Sequence, residues 1–179
     1  MRASTLQPRA PLARALRLHA LAWAPPLGAI AAALLSFGTG GVCLPALASL
    51  LVLHALSVLG LRVGYHRLFT HRRFAAGSGL RVTLAVLGGL AGQGPLLAWV
   101  DLHRARERGD LPVPARDLAR DPALALVDRL YPLWLGLGFL APAALVGLAT
   151  RSPQGALEGL LWGGFVRLFV LQQLRGERR

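Results

Sequence analysis

Residues 42–73 read VCLPALASLLVLHALSVLGLRVGYHRLFTHRR, and the fold class turns on this one stretch. From Val42 to Leu61 no carboxylate, lysine or arginine interrupts the apolar run. About 20 such residues are what an α-helix needs to cross the hydrocarbon core of a bilayer. Pro45 falls in the first turn, where its missing N–H costs least. At Arg62 the pattern changes, and Arg62, Arg67, Arg72 and Arg73 arrive together with His66 and His71. An apolar run that stops in arginines is a membrane helix meeting its cytoplasmic face. Histidine at that boundary needs partners for its ring nitrogens, so the pair suggests metal ligands held at the cytoplasmic mouth of a helix pair.

Composition agrees with this stretch. Of 179 residues, 54% are hydrophobic and 16% charged, and the mean hydropathy is +0.51. A soluble domain of this length carries more charge and shorter apolar runs. The chain is therefore expected to be an all-α integral membrane protein, folded as a single domain over residues 1–179. The net charge of +12 rests on 20 basic residues, all of them arginine. They stand beside apolar segments and are not interleaved with aromatic residues, which reads as topology and excludes nucleic acid as a partner. Cys43 is the sole cysteine, so the chain by itself makes no disulfide and no thiolate metal site.

Four membrane-spanning helices are expected, at about 18–37, 42–61, 130–149 and 155–174. Arg2, Arg9, Arg14 and Arg17 precede the first without any acid, as in a transit or signal peptide, but fit a cytoplasmic flank better because no small-residue cleavage site follows. The turns at 38–41 and 150–153 carry one arginine between them. The rest are assigned to the two termini and to residues 62–129, which places all three on the cytoplasmic side. Val82 to Trp99 is apolar and nearly long enough to cross, but crossing would carry the arginines after Arg104 outside. Glycines at 88, 89, 92 and 94 and then Pro95 weaken it as a spanning helix, so it is expected to be an interfacial or re-entrant hairpin on the cytoplasmic side. That puts His71 and His103 on one side of the membrane. Trp23, Trp99, Trp134 and Trp162 suit an aromatic belt. His54 falls mid-span, where a neutral histidine bonded to a neighbouring helix is the commoner state, and His19 is expected at the interface.

The run Gly64-Tyr65-His66-Arg67-Leu68-Phe69-Thr70-His71, followed by Phe74, closely resembles the first histidine box, HxxxxH, of the membrane fatty acid desaturases, the acyl-CoA (stearoyl-CoA) delta-9 type. Gln93, Trp99 and His103-Arg104 resemble the approach to that family's second box, HRxHH. Asp121-Pro122, Arg129-Leu130-Tyr131 and Trp162-Gly163-Gly164-Phe165-Val166-Arg167 resemble its third and fourth spans. The resemblance implies a di-iron (Fe2+) centre held by histidines. It implies a fatty acyl-CoA substrate drawn from the lipid bilayer, dioxygen, and a small electron-transfer protein of the ferredoxin or haem type. The reaction implied is insertion of a double bond. Carried over residue by residue, His66 and His103 ligate one iron and His71 the other, while Gln93 and Trp99 line the acyl path. A multi-pass location with both termini cytoplasmic, in a bacterial inner membrane, goes with it.

The spacing has a physical reading of its own. On an α-helix, positions three and four apart share a face, whereas positions five apart diverge, so HxxxxH is expected to serve two separate metals. The second box departs from the pattern, with Arg106 and Glu107 where two further histidines are expected. Arginine does not ligate and brings a fixed positive charge. Glu107 has a carboxylate that iron accepts, but its sequence neighbours lend it no support and it is assigned no ligand role. The third box has no counterpart after Gln172-Gln173. The resemblance therefore leaves three readings: a family member completing its site elsewhere, a truncated and catalytically silent relative, and a non-enzymatic scaffold that binds acyl lipid.

Overall fold

The computed structural model describes residues 24–36, 38, 41–109 and 115–176, the side chains of 108 and 174–176 aside. The start of the first expected span, His19, Trp23, the N-terminal arginines and the Pro112–Pro114 link lie outside these residues.

Helix follows helix through the described chain, with no strand. Helix α1, Ala24–Ser36, begins at Pro25-Pro26. Helix α2, Leu44–Leu59, has Pro45 in its first turn and continues without a break into a π-helical stretch, Gly60–Thr70. Together, Leu44–Thr70 is long and apolar enough to cross a membrane. So is α7, Tyr131–Thr150. Of the four spans expected, these two meet that test; α1 is a shorter apolar helix. The last stretch runs as α8, Pro153–Glu158, a second π-helical segment, Gly159–Val166, and α9, Arg167–Gly176. Leu34, Leu51, Leu140, Leu145 and Leu148 point outward and are exposed, a surface suited to hydrocarbon and not to water.

Between the spans lie α3, Ser78–Leu90, α4, Leu96–Arg108, and the short α5, Arg116–Ala119, and α6, Pro122–Arg129. The break expected near Val82 to Trp99 falls at residues 91–95, where Gly92 and Gly94 take positive φ (66° and 105°) and Pro95 caps α4. The segment is thus a helix–turn–helix hairpin.

Small residues let the helices close together. A Cβ on Gly60 would meet the Gly88 backbone nitrogen at 2.3 Å, and one on Gly64 the Leu84 Cβ at 2.9 Å, so α3 lies against the π stretch almost backbone to backbone. In hydrocarbon, where apolar burial drives nothing, such contact is what holds helices together. The N-terminus of α2 is closed by Glu158, whose carboxylate accepts the Cys43 N–H at 2.8 Å.

Arg167 corrects the charge map. It lies inside the expected fourth span, where the rule that assigns arginines to the cytoplasmic side does not account for it, and the structure buries it completely in the bundle. Its guanidinium donates to the Ser57 hydroxyl (2.6 Å) and to the carbonyls of Gly163 (2.7 Å), Leu90 (2.9 Å) and Gly138 (3.2 Å). Two of these are carbonyls the helices leave over. Pro142 has no N–H to give Gly138 four residues earlier, and Leu90 ends α3. Nearby, the buried His54 Nδ1 meets no hydrogen-bond partner, contrary to the expectation of a bond to a neighbouring helix.

Candidate metal site

The π-helical end of the first long helix places the site. Here the backbone bond reaches back five residues, the His71 N–H donating to the His66 carbonyl at 3.1 Å, and the Thr70 side-chain hydroxyl likewise donates to the Tyr65 carbonyl at 2.8 Å. Widening the turn this way brings residues five apart onto one face, a local geometry common at functional sites. His66 and His71 therefore converge, with ring centroids 4.4 Å apart and Nε2 atoms 3.2 Å apart. The expectation that they diverge assumed an α-helix, and it fails for that reason.

Helix α4 supplies the third group. Its buried face, Leu96, Trp99 and Val100, packs into a cluster with Tyr65, Leu68, Phe69, Leu84 and Ala85. The Trp99 ring meets Tyr65 edge-on at 5.3 Å. Arg104 donates to the Phe69 carbonyl at 2.8 Å, tying α4 to the π stretch. One turn on, Glu107 Oε1 lies 3.1 Å from His71 Nε2. His66, His71 and Glu107 bring one ligand atom each within 4.8 Å of one another, and among the described residues this is the one such group. The two imidazoles are partly buried and Glu107 is exposed.

His103 stands outside that group. It stacks on Trp99 with centroids 3.5 Å apart, and its Nδ1 faces the Trp99 carbonyl at 3.1 Å. A carbonyl only accepts, so Nδ1 carries the proton and the lone pair of a neutral ring lies on Nε2. Trp99 and Gln93 are both buried, Gln93 in the α3–α4 turn. Beside that turn Gly94 donates to the Tyr131 hydroxyl (3.2 Å) and Leu97 to Asp128 (2.8 Å), which fixes where α4 starts.

Outside the long helices, arginines pair with acids. Asp117 accepts from Arg72 and from Arg104 (3.1 Å), and Arg81 lies 2.9 Å from Asp121. Burial pushes the Asp117 carboxyl up, but hydrogen bonds from Arg104 and Arg72, with their charges, outweigh it and hold it at about 2. Asp101 goes the other way: burial raises it against weaker opposing effects, and its Oδ1 meets no hydrogen-bond partner. A cavity of about 340 Å³ opens among Leu68, Phe69, Arg72, Phe74, Arg81 and Asp117.

Two imidazoles and a carboxylate fit one metal ion. They do not fit two irons, each of which needs its own set of donors, and no second set stands among the described residues. Sequence reasoning reached both histidines of this site. It weighed the Glu107 carboxylate without assigning it a ligand role, and only the docking of α4 brings that group into range.

The chain is similar to several proteins of known function. Over 157 residues it is 36% identical to the hex-5-enoyl-[acyl-carrier protein] acetylenase of Moorena producens, covering 65% of this chain and 49% of that protein. Over 141 residues it is 37% identical to the sn-1 stearoyl-lipid 9-desaturase of Anabaena variabilis, covering 62% and 48%. Over 151 residues it is 27% identical to acyl-CoA desaturase 1 of Saccharomyces cerevisiae, covering 67% and 29%. The matched stretch thus spans about half or less of each relative's length. No family model matches the chain.

Proposed function

This chain belongs to the fatty acid desaturase family, and we propose that it acts on a fatty acyl chain presented from the bilayer, inserting a double bond. In balance, two adjacent methylenes give up two hydrogens, dioxygen is reduced with two further electrons and two protons, and two waters leave. A small redox protein supplies the electrons, and acyl-CoA is the substrate form favoured by the likeness to the delta-9 type. The observation that carries the reading is the convergence of His66 and His71 at the polar end of a span-length apolar helix. Buried Trp99 and Gln93, on the same side as these histidines, are the residues to line the acyl path. The chain sits as a multi-pass protein of a bacterial inner membrane, with four spans and its arginine-rich termini and 62–129 region facing the cytoplasm.

A second reading has its own observation. Arg106 and Glu107 stand where the family pattern has histidines, which favours a silent relative that holds an acyl chain without reacting. Expression in a host lacking its own delta-9 desaturase separates the two. New monounsaturated fatty acids in the host lipids support the first. Unchanged lipids, with specific labelling by a photoreactive acyl analogue, support the second. Neither new product nor labelling overturns both.

A further inference from the structure

We infer that His66, His71 and Glu107 hold a single divalent cation, as a two-histidine, one-carboxylate site, where the family resemblance implies a metal pair. Cation binding at this site stands whether or not the chain turns over an acyl substrate.

Two of the three edges of the site have the right length, and the third is no longer than 4.8 Å. His66 Nε2 and His71 Nε2 are 3.2 Å apart, and His71 Nε2 is 3.1 Å from Glu107 Oε1. Donors about 2.1 Å from one ion, at angles between octahedral and tetrahedral, are separated by roughly 3.0–3.4 Å. Hydrogen bonding serves the same atoms less well. His71 Nε2 faces a ring nitrogen and a carboxylate at once, and a neutral imidazole nitrogen either donates or accepts. A proton there is split between two acceptors, whereas a cation draws on all three lone pairs fully.

Charge sets the class of ion. Two neutral imidazoles and one carboxylate contribute a single negative charge, which calls for a dication with water in the remaining positions. Imidazole and carboxylate together suit zinc, cobalt and ferrous iron and disfavour soft monovalent ions. Glu107 is 46% exposed and His71 26%, so the site opens to the aqueous face and exchanges its ion there. Arg67 and Arg106, next to the ligands in sequence, carry fixed positive charge that opposes binding.

The test uses the full chain in detergent micelles, with any histidine tag removed and metal stripped by a chelator. Cobalt(II) and zinc are then titrated, read by calorimetry, metal analysis and the cobalt d–d spectrum. One ion per chain is expected. Glu107→Gln, an isosteric change at an exposed helical position, weakens it about tenfold or more, as do His66→Ala and His71→Ala. His103→Ala and His54→Ala leave it within about twofold. Two ions per chain, no loss in Glu107→Gln, or a loss in His103→Ala as large as in His66→Ala would each overturn the inference. A helical circular dichroism signal unchanged in Glu107→Gln separates lost binding from lost fold.

Discussion

The Nε2 atoms of His66 and His71 lie 3.2 Å apart although five positions separate the residues in the chain. On an α-helix those positions would be rotated about 140° from one another. The difference is the backbone bond from His71 N–H to the His66 carbonyl, one residue longer than the α-helical one. A local change in hydrogen bonding converts a divergent pair into one edge of a metal site.

Arg167 is the polar tie of the bundle, and removing it strands carbonyls in an apolar interior. Arg167→Met is expected to cost about 2–4 kcal/mol, from the charge-assisted bonds lost and the acceptors left unpaired. Arg167→Lys recovers only part, since an ammonium does not reproduce the planar fork that reaches Ser57, Leu90 and Gly138 together. Reversible unfolding in mixed micelles gives the numbers. Equal stability of Arg167→Met and the parent chain would remove the tie.

Two glycines respond in opposite directions. At Gly60 an added methyl meets backbone atoms of α3, so Gly60→Ala forces the helices apart, at about 1–3 kcal/mol. At Gly79, inside α3, an added Cβ meets nothing within 4 Å, so Gly79→Ala gains helix propensity of up to about 1 kcal/mol. The same unfolding series reads both, and the sign is the test.

Acid sensitivity follows from Asp117 and Asp101. Asp117 is held at about 2 in the folded chain, below the roughly 3.9 of an unfolded aspartate. Its contribution is present above about 4 and is lost as pH falls toward 2. Asp101 is raised, so its contribution is present below the unfolded value and is lost as pH rises through its folded value. Asp117→Asn should therefore be less stable than the parent at pH 5 and converge with it near pH 2. Asp101→Asn should gain relative to the parent as pH rises from 3 to 7. Thermal melts across that range report the two differences.

Much of this was legible in the chain. The uncharged run from Val42 to Leu61, ended by arginines, declared a membrane helix, and Gly92, Gly94 and Pro95 declared the α3–α4 turn. Both histidines of the site were visible in their box. Their convergence was not, because a spacing argument must assume 3.6 residues per turn and nothing local announces a π-helical stretch. Glu107 was hidden for a different reason. It owes its place to Arg104 reaching the Phe69 carbonyl across 35 residues of chain, a tertiary contact without a sequence period. Arg167 was obscured by a rule that assigns arginines to the aqueous side. That rule has no way of counting the carbonyls freed by Pro142 and by the end of α3.

X-ray absorption spectroscopy on the cobalt- or zinc-loaded full chain tests the site itself. The expected nearest shell is two imidazole nitrogens and a carboxylate oxygen at about 2.0–2.2 Å, completed by water, with the carboxylate oxygen lost in Glu107→Gln. No second metal scatterer is expected. A metal–metal distance of about 3.5–4 Å, or a shell of four or more imidazoles, would contradict a single ion held by His66, His71 and Glu107.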